Sequence, residues 1–231
     1  MKKKTTTNQE RVKLALKFLS DCTSDYIAAR ILFLAELPPQ AAIFSSTAIE
    51  KAFKTILAFN GNESRGHLRK AHWNAAKNFD KTFYNSINED FLELNKKAYK
   101  LRYTEDLPLG YNVAILSREF LAELDHTIMS LIVRFQFHAE DRKIITALDH
   151  VLKSKDPRIW NENHVLNKES KEAFIYKKPQ FVFEIRNHKN VILSTTYFTK
   201  GKPKEKNFLR SAFTPLDQNE KEFAFACSDI M

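Results

Sequence analysis

Two runs of basic residues interleaved with aromatics are the stretches of this 231-residue sequence best suited to chemistry. Tyr99, Lys100, Arg102 and Tyr103 form one; Arg65, His67, Arg69, Lys70 and His72 form the other. Cations track phosphates and rings stack on bases, so the mixture suits single-stranded nucleic acid or a nucleotide. Helical spacing alone produces the same pattern with Tyr99 and Tyr103 in the core and the lysines solvated, the commoner arrangement. Likewise, a loop histidine such as His67 caps a helix more often than it catalyses. Lys51 and Lys54 offer further cations, although an ordinary amphipathic helix accounts for both. With only four glycines there is no Gly-rich loop to cradle a phosphate, which excludes a P-loop or Rossmann site. Cys22 and Cys227 match no metal-ligand spacing, and Cys22 sits in an apolar helical pattern that suits a buried thiol. No Gly-x-Ser-x-Gly elbow is present. Glu89-Asp90 and Glu105-Asp106 are adjacent in sequence and do not face one another across a cleft. Trp73 and Trp160 read as packing residues. No cofactor or metal is implied.

These residues need a scaffold, and the composition supplies one. Hydrophobic residues make up 43% of the chain and charged residues 28%, enough apolar material for a real core. The net charge of +9 divides into +4 over residues 1–140 and +5 over the shorter stretch 141–231. That excess suits a polyanion, or equally a lysine-rich solvated surface. Met1-Lys2-Lys3-Lys4 is followed by polar residues and not by the apolar stretch of a signal peptide. No apolar run approaches the roughly 18 residues of a membrane span. The expectation is a cytoplasmic protein without membrane contact.

The periodicity predicts a long helix over Asn8 to Leu37, with Val12, Ala15, Leu16, Leu19, Cys22, Tyr26, Phe33 and Leu37 on its apolar side. Pro38-Pro39 ends it and lets a second helix start at once, running to about Phe59 before Asn60-Gly61-Asn62. A polar, basic connection over residues 63–72 leads into a short helix ending near Phe79. Ser86, with Glu89 three residues on, reads as the cap of a helix carrying Ile87, Phe91, Leu94, Ala98 and Leu101. After a loop containing Pro108, a last helix is predicted over Asn112 to Phe137. Long helices with short connections, each apolar on one side, argue for an antiparallel bundle of four to five helices over residues 1–138. Residues 139–231 read as a small α+β appendage packed on that bundle. In it, a helix is expected over Asp141 to Leu152 and a charged break over Lys153 to Pro157. Strands are expected at Ala173–Tyr176, Phe181–Arg186 and Val191–Phe198, the last two joined by a turn over Asn187 to Asn190. Lys200 to Lys206 makes a basic loop before Phe208 to Phe213.

The second helix holds the most specific segment, Ala48 to Leu57 (A-I-E-K-A-F-K-T-I-L). Followed by a Gly-containing loop and then His67-Leu68, it resembles the HEPN family. The family's next marker, a helix ending in Arg-Tyr before a proline-containing loop, is matched by Ala98 to Tyr103. The resemblance covers residues 8–137. It implies a helical bundle that is either a metal-independent ribonuclease or a noncatalytic form binding nucleotides or RNA. It also implies a tendency to dimerise and, for some members, to pair with a minimal nucleotidyltransferase. The nucleases carry an Arg, four to six residues, then a His near the start of the last bundle helix. There the Arg would hold phosphate and the His act as acid or base. In this chain Arg118 and His126 occupy that helix with seven residues between them. Arg134 and His138 have three between them, and Arg158 and His164 have five but lie outside the bundle.

The reading that follows is a noncatalytic HEPN-like module that binds nucleotide or single-stranded RNA, a protein partner, or both. Its binding residues would be Lys100, Arg102, Tyr103, His67 and Lys51. The alternatives are a toxin-like metal-independent ribonuclease using Arg118 and His126, and a pure protein-interaction partner of a nucleotidyltransferase. A homodimer built on bundle helices is expected, since Ile43, Phe44 and Val133 fall outside the apolar stripes.

Overall fold

The computed structural model describes residues 8–62, 66–132, 134, 137–139 and 142–200. It is mainly helical, with one small antiparallel sheet. Helices α1 (Asn8–Leu34) and α2 (Pro38–Phe59) form a hairpin that supplies much of the core. The link turns sharply because Glu36 adopts φ 61, which lets Leu37 N–H reach back to Leu32 O at 2.9 Å. Pro38 then opens α2, where a missing N–H costs nothing. Ala41, Ala42, Ser45, Ala48 and Ala52 are all buried on α2, so small residues bring it close to Ala15, Cys22 and Ala29 of α1. At the far end Gly61, at φ +71, closes α2; a Cβ there would meet the Arg11 guanidinium at 2.6 Å.

Three further helices follow: α3 (Lys70–Phe79), α4 (Lys81–Ser86) and α5 (Glu89–Ala98). Here the expected cap is corrected. Ser86 ends α4, its hydroxyl bonded to Phe83 O, and α5 is capped by Asn88, which accepts from Asp90 N–H and Phe91 N–H. The physical reason is Asp80, whose carboxylate accepts from Phe83 N–H at 2.8 Å and nucleates an extra turn just before Ser86. Two short 3-10 turns (Tyr99–Arg102 and Thr104–Asp106) lead out of α5.

The expected helix over residues 112–137 is also corrected. Asn112–Leu116 is strand β1, and helix α6 covers only Ser117–Ile132. The four-residue apolar run Val113–Leu116 fits either period, and a partner strand decides it. That partner, β4 (Gln180–His188), pairs antiparallel with Val113 opposite Ile185 and Ile115 opposite Phe183. Beyond α6, β2 (His138–Ala139) and β3 (Arg142–Lys143) make a minimal ladder. Helix α7 (Ala147–Lys153) begins later than expected because Thr146 and Asp149 form a capping box. Then come α8 (Pro157–Trp160) and α9 (Lys171–Tyr176). The last replaces an expected strand at 173–176, because Ser170 accepts from Ala173 N–H and starts a helix that buries Phe174 and Ile175.

Strand β5 (Val191–Thr199) completes the sheet, in the order β1-β4-β5. The β4–β5 turn is tighter than expected: only Lys189 and Asn190 lie outside the ladder, at φ 51 and 64, the positive pair of a type I′ turn. Since β1 lies between the helices and pairs with β4, the sheet ties the last third of the described chain to the helical part. No helix among the described residues is long and apolar enough to cross a membrane. The expected loop at 200–206, apart from Lys200, and the segment 208–213 lie outside the described residues, as do Val133, Arg65 and Cys227.

Candidate functional site

One face of α2 repeats polar residues at every fourth position: Ser46, Glu50 and Lys54. That spacing aligns them along the helix. The loop before α3 lays His67 over this row, anchored by the neighbouring Leu68, which is fully buried. Nδ1 of His67 pairs with the Glu50 carboxylate, and Nε2 lies 2.7 Å from Ser46 Oγ. Ser46 donates its one proton to Asn95 O, so toward the imidazole it is an acceptor. Lys54 holds the other Glu50 oxygen. Burial pushes the Glu50 carboxyl upward, but the hydrogen bonds from His67 and Lys54, with their charges, outweigh it, and Glu50 ends below its ordinary value.

The other face of His67 belongs to the end of α5. Its ring stacks on Tyr99 with centroids 3.7 Å apart and planes 19° from parallel. Tyr99 begins a 3-10 turn, in which residues three apart eclipse, so Arg102 falls directly beneath it. The Arg102 guanidinium lies 4.8 Å from the Tyr99 ring centre and donates to its hydroxyl at 3.1 Å. Lys100 and Arg102 are exposed, and Tyr103 is 58% exposed. Thus Tyr103 does not pack in the core, and Tyr99 is only half-buried. Behind the loop His72 is fully buried; Nδ1 accepts from Arg69 N–H, and Nε2 has no partner among the described residues. Burial holds this imidazole below its ordinary value. Lys51 lies apart from the cluster, paired with Asp25 at 2.7 Å.

The structure thus gathers Glu50, Lys54, His67, Tyr99 and Arg102 from three separate segments. Sequence reasoning marked His67 and Arg102 but missed that Glu50 and Ser46 clamp the histidine. The Ser46/Glu50/Lys54 spacing was the available signal.

Arg118 and His126 are not brought together. Eight residues along α6 correspond to about 12 Å of rise. Arg118 donates from Nε and Nη2 to Phe174 O, pairs with Glu162 at 3.1 Å and lies 4.1 Å over the Phe174 ring. His126 turns instead to Ser86 O at 3.2 Å, with burial first and Lys171 second lowering it. A cleft of about 280 Å³ along this helix is lined by Glu119, Glu123 and Glu172 against one cation, Lys171, which is the wrong sign for a polyanion. Arg158 is folded onto Asp156, and the buried His164 faces Ala122 O, so that pair is also separate.

A second polar cluster is wholly internal. Arg30 and Asp125, both without exposed side-chain surface, form an ion pair between α1 and α6. Tyr26 donates to Asp125 at 2.6 Å, Asn163 donates to Tyr26, and Arg30 also donates to the carbonyls of Arg158 and Asn161. Burial disfavours the guanidinium charge, but Asp125 more than offsets this and holds Arg30 protonated. The cluster joins elements far apart in the chain. Among the described residues no group of three His, Cys, Asp or Glu side chains is placed to hold a metal ion. Comparison of the chain with family models, curated proteins and solved structures finds no match.

Proposed function

We propose that this chain is a noncatalytic, HEPN-like module that binds single-stranded RNA or a nucleotide at the surface formed by His67, Tyr99, Lys100, Arg102 and Tyr103. The observation that carries the reading is the column of His67, Tyr99 and Arg102 beside the exposed ring of Tyr103 and the exposed Lys100. Stacking rings with flanking cations are what single strands require, and an open surface tolerates any base. The noncatalytic reading is supported by the placement of His126, about 12 Å of rise from Arg118 along α6 and turned to Ser86 O. Arg118 is likewise committed to protein partners.

The experiment is a fluorescence titration of the whole chain with labelled oligouridylate at low and moderate salt. Binding that weakens steeply with salt supports the proposal, because phosphate contacts release counterions. No binding at low salt sinks it, and metal-independent cleavage abolished by His126→Ala would establish a ribonuclease instead. A second reading, a module that acts by binding protein, is favoured by Ile31, Leu34, Leu37 and Phe44, apolar side chains of α1, α2 and the link between them that are each about two-fifths exposed. A nucleotidyltransferase is the partner class the sequence resemblance suggests. Co-purification with such a protein and no RNA binding would select it.

A further inference from the structure

Strand β5 has β4 along one side and, among the described residues, no strand along the other. Exposed strand edges are ordinarily guarded by charges, proline, bulges or shortness. None of these is present along β5 among the described residues. The strand is nine residues long, Val-Ile-Leu-Ser-Thr-Thr-Tyr-Phe-Thr, without a charge or a proline. Its register with β4 runs unbroken from Gln180↔Thr199 to His188↔Val191, so no bulge interrupts it. Large apolar side chains face solvent along it: Val191 is 55% exposed and Phe198 59%, with Ile192 and Tyr197 above a third.

The order of residues says what fits there. About Thr195 the strand is symmetric in character over Ile192 to Phe198: Ser194 answers Thr196, Leu193 answers Tyr197 and Ile192 answers Phe198. Antiparallel pairing of two copies about a two-fold axis at Thr195 sets each of these residues opposite its counterpart, on the same sheet face. We propose that β5 is a self-association edge, and that two copies of the chain join there into a continuous six-stranded antiparallel sheet. The inter-copy row would place Ile192 against Phe198, which already carries Phe181 edge-on at 5.1 Å. An uncharged strand offers no sign by which to select an acidic or basic peptide, whereas its own sequence matches it from Ile192 to Phe198. The contact is distinct from the exposed apolar residues of α1 and α2, and it does not depend on the RNA-binding reading.

The test is made on the full chain. Sedimentation at tens of micromolar is expected to give twice the monomer mass of 26.9 kDa. Ser194 and Thr196 are exposed, so Ser194→Lys with Thr196→Lys leaves the fold intact while placing like charges opposite one another across the axis. Dimer affinity should fall by about tenfold or more. The register has its own readout. With Cys227→Ser as background, Thr195→Cys should give covalent dimers on mild oxidation, and Val191→Cys, far from its own copy, should not. A monomer at this concentration overturns the proposal. So does a dimer that the lysine pair leaves unchanged and Thr195→Cys does not cross-link, which would assign association to the helices.

Discussion

At the level of single residues, the proposed RNA surface can be probed by substitution without confounding the fold. Tyr103 is mostly exposed, so Tyr103→Ala should leave thermal stability unchanged while reducing RNA affinity by about 1–3 kcal/mol if it stacks on one base. Arg102→Ala should weaken all sequences about equally and lower the salt slope by about one, as loss of a phosphate contact does. Filter binding across a salt series separates the two. Acid should act through His72 and Glu50. Both are held below their ordinary values in the folded chain, so each favours the folded state above its unfolded pKa, and that contribution is lost as pH falls toward the folded value. For His72 the loss begins near about pH 6.5, and for Glu50 near about 4.3. Melting temperature should therefore drop between pH 7 and 5, and His72→Asn, whose side-chain oxygen can replace Nδ1 as acceptor, should flatten that drop.

Among the elements, the altered cap assignment is directly measurable. Asn88→Ala should cost about 0.5–2 kcal/mol in urea unfolding, and Ser86→Ala much less, because only Asn88 holds N-terminal donors of α5. The long elements were legible in the sequence because proline, glycine and apolar spacing all agreed, as in α1 and α2. The short ones were not. Asn112–Leu116 reads equally as helix or strand until Gln180–His188 is placed beside it, and that pairing spans some seventy residues of intervening chain. Residues 173–176 carry strand-forming side chains, yet Ser170 outweighs their preference with one hydrogen bond. The candidate site was partly legible for a similar reason. Arg102 and Tyr99 follow from local spacing, whereas the clamp on His67 depends on a loop returning to α2.

For the whole molecule, the described chain is held by groups that bridge its two stretches. Besides the β1–β4 ladder, Lys171 of α9 bonds both oxygens of Glu123 on α6 at 2.9 Å, and Arg118 reaches Phe174 O. Limited proteolysis is therefore expected to yield no stable, separately folded fragment beginning near residue 139. Recovery of one with a cooperative melt would show the two stretches to be independent.

The buried Arg30 bears on how fast the molecule comes apart. Its partners are separated from it by 95 residues at Asp125, 128 at Arg158 and 131 at Asn161. Contacts over such spans require large loops to close first, so they are expected to form after the folding transition state. An interaction made on the native side of that barrier slows unfolding and leaves folding nearly untouched. In stopped-flow measurements, Asp125→Asn should steepen the loss of native protein by raising the unfolding rate, while the refolding arm stays where it was. That outcome would make Arg30 a latch on lifetime, setting how long the native state persists once formed.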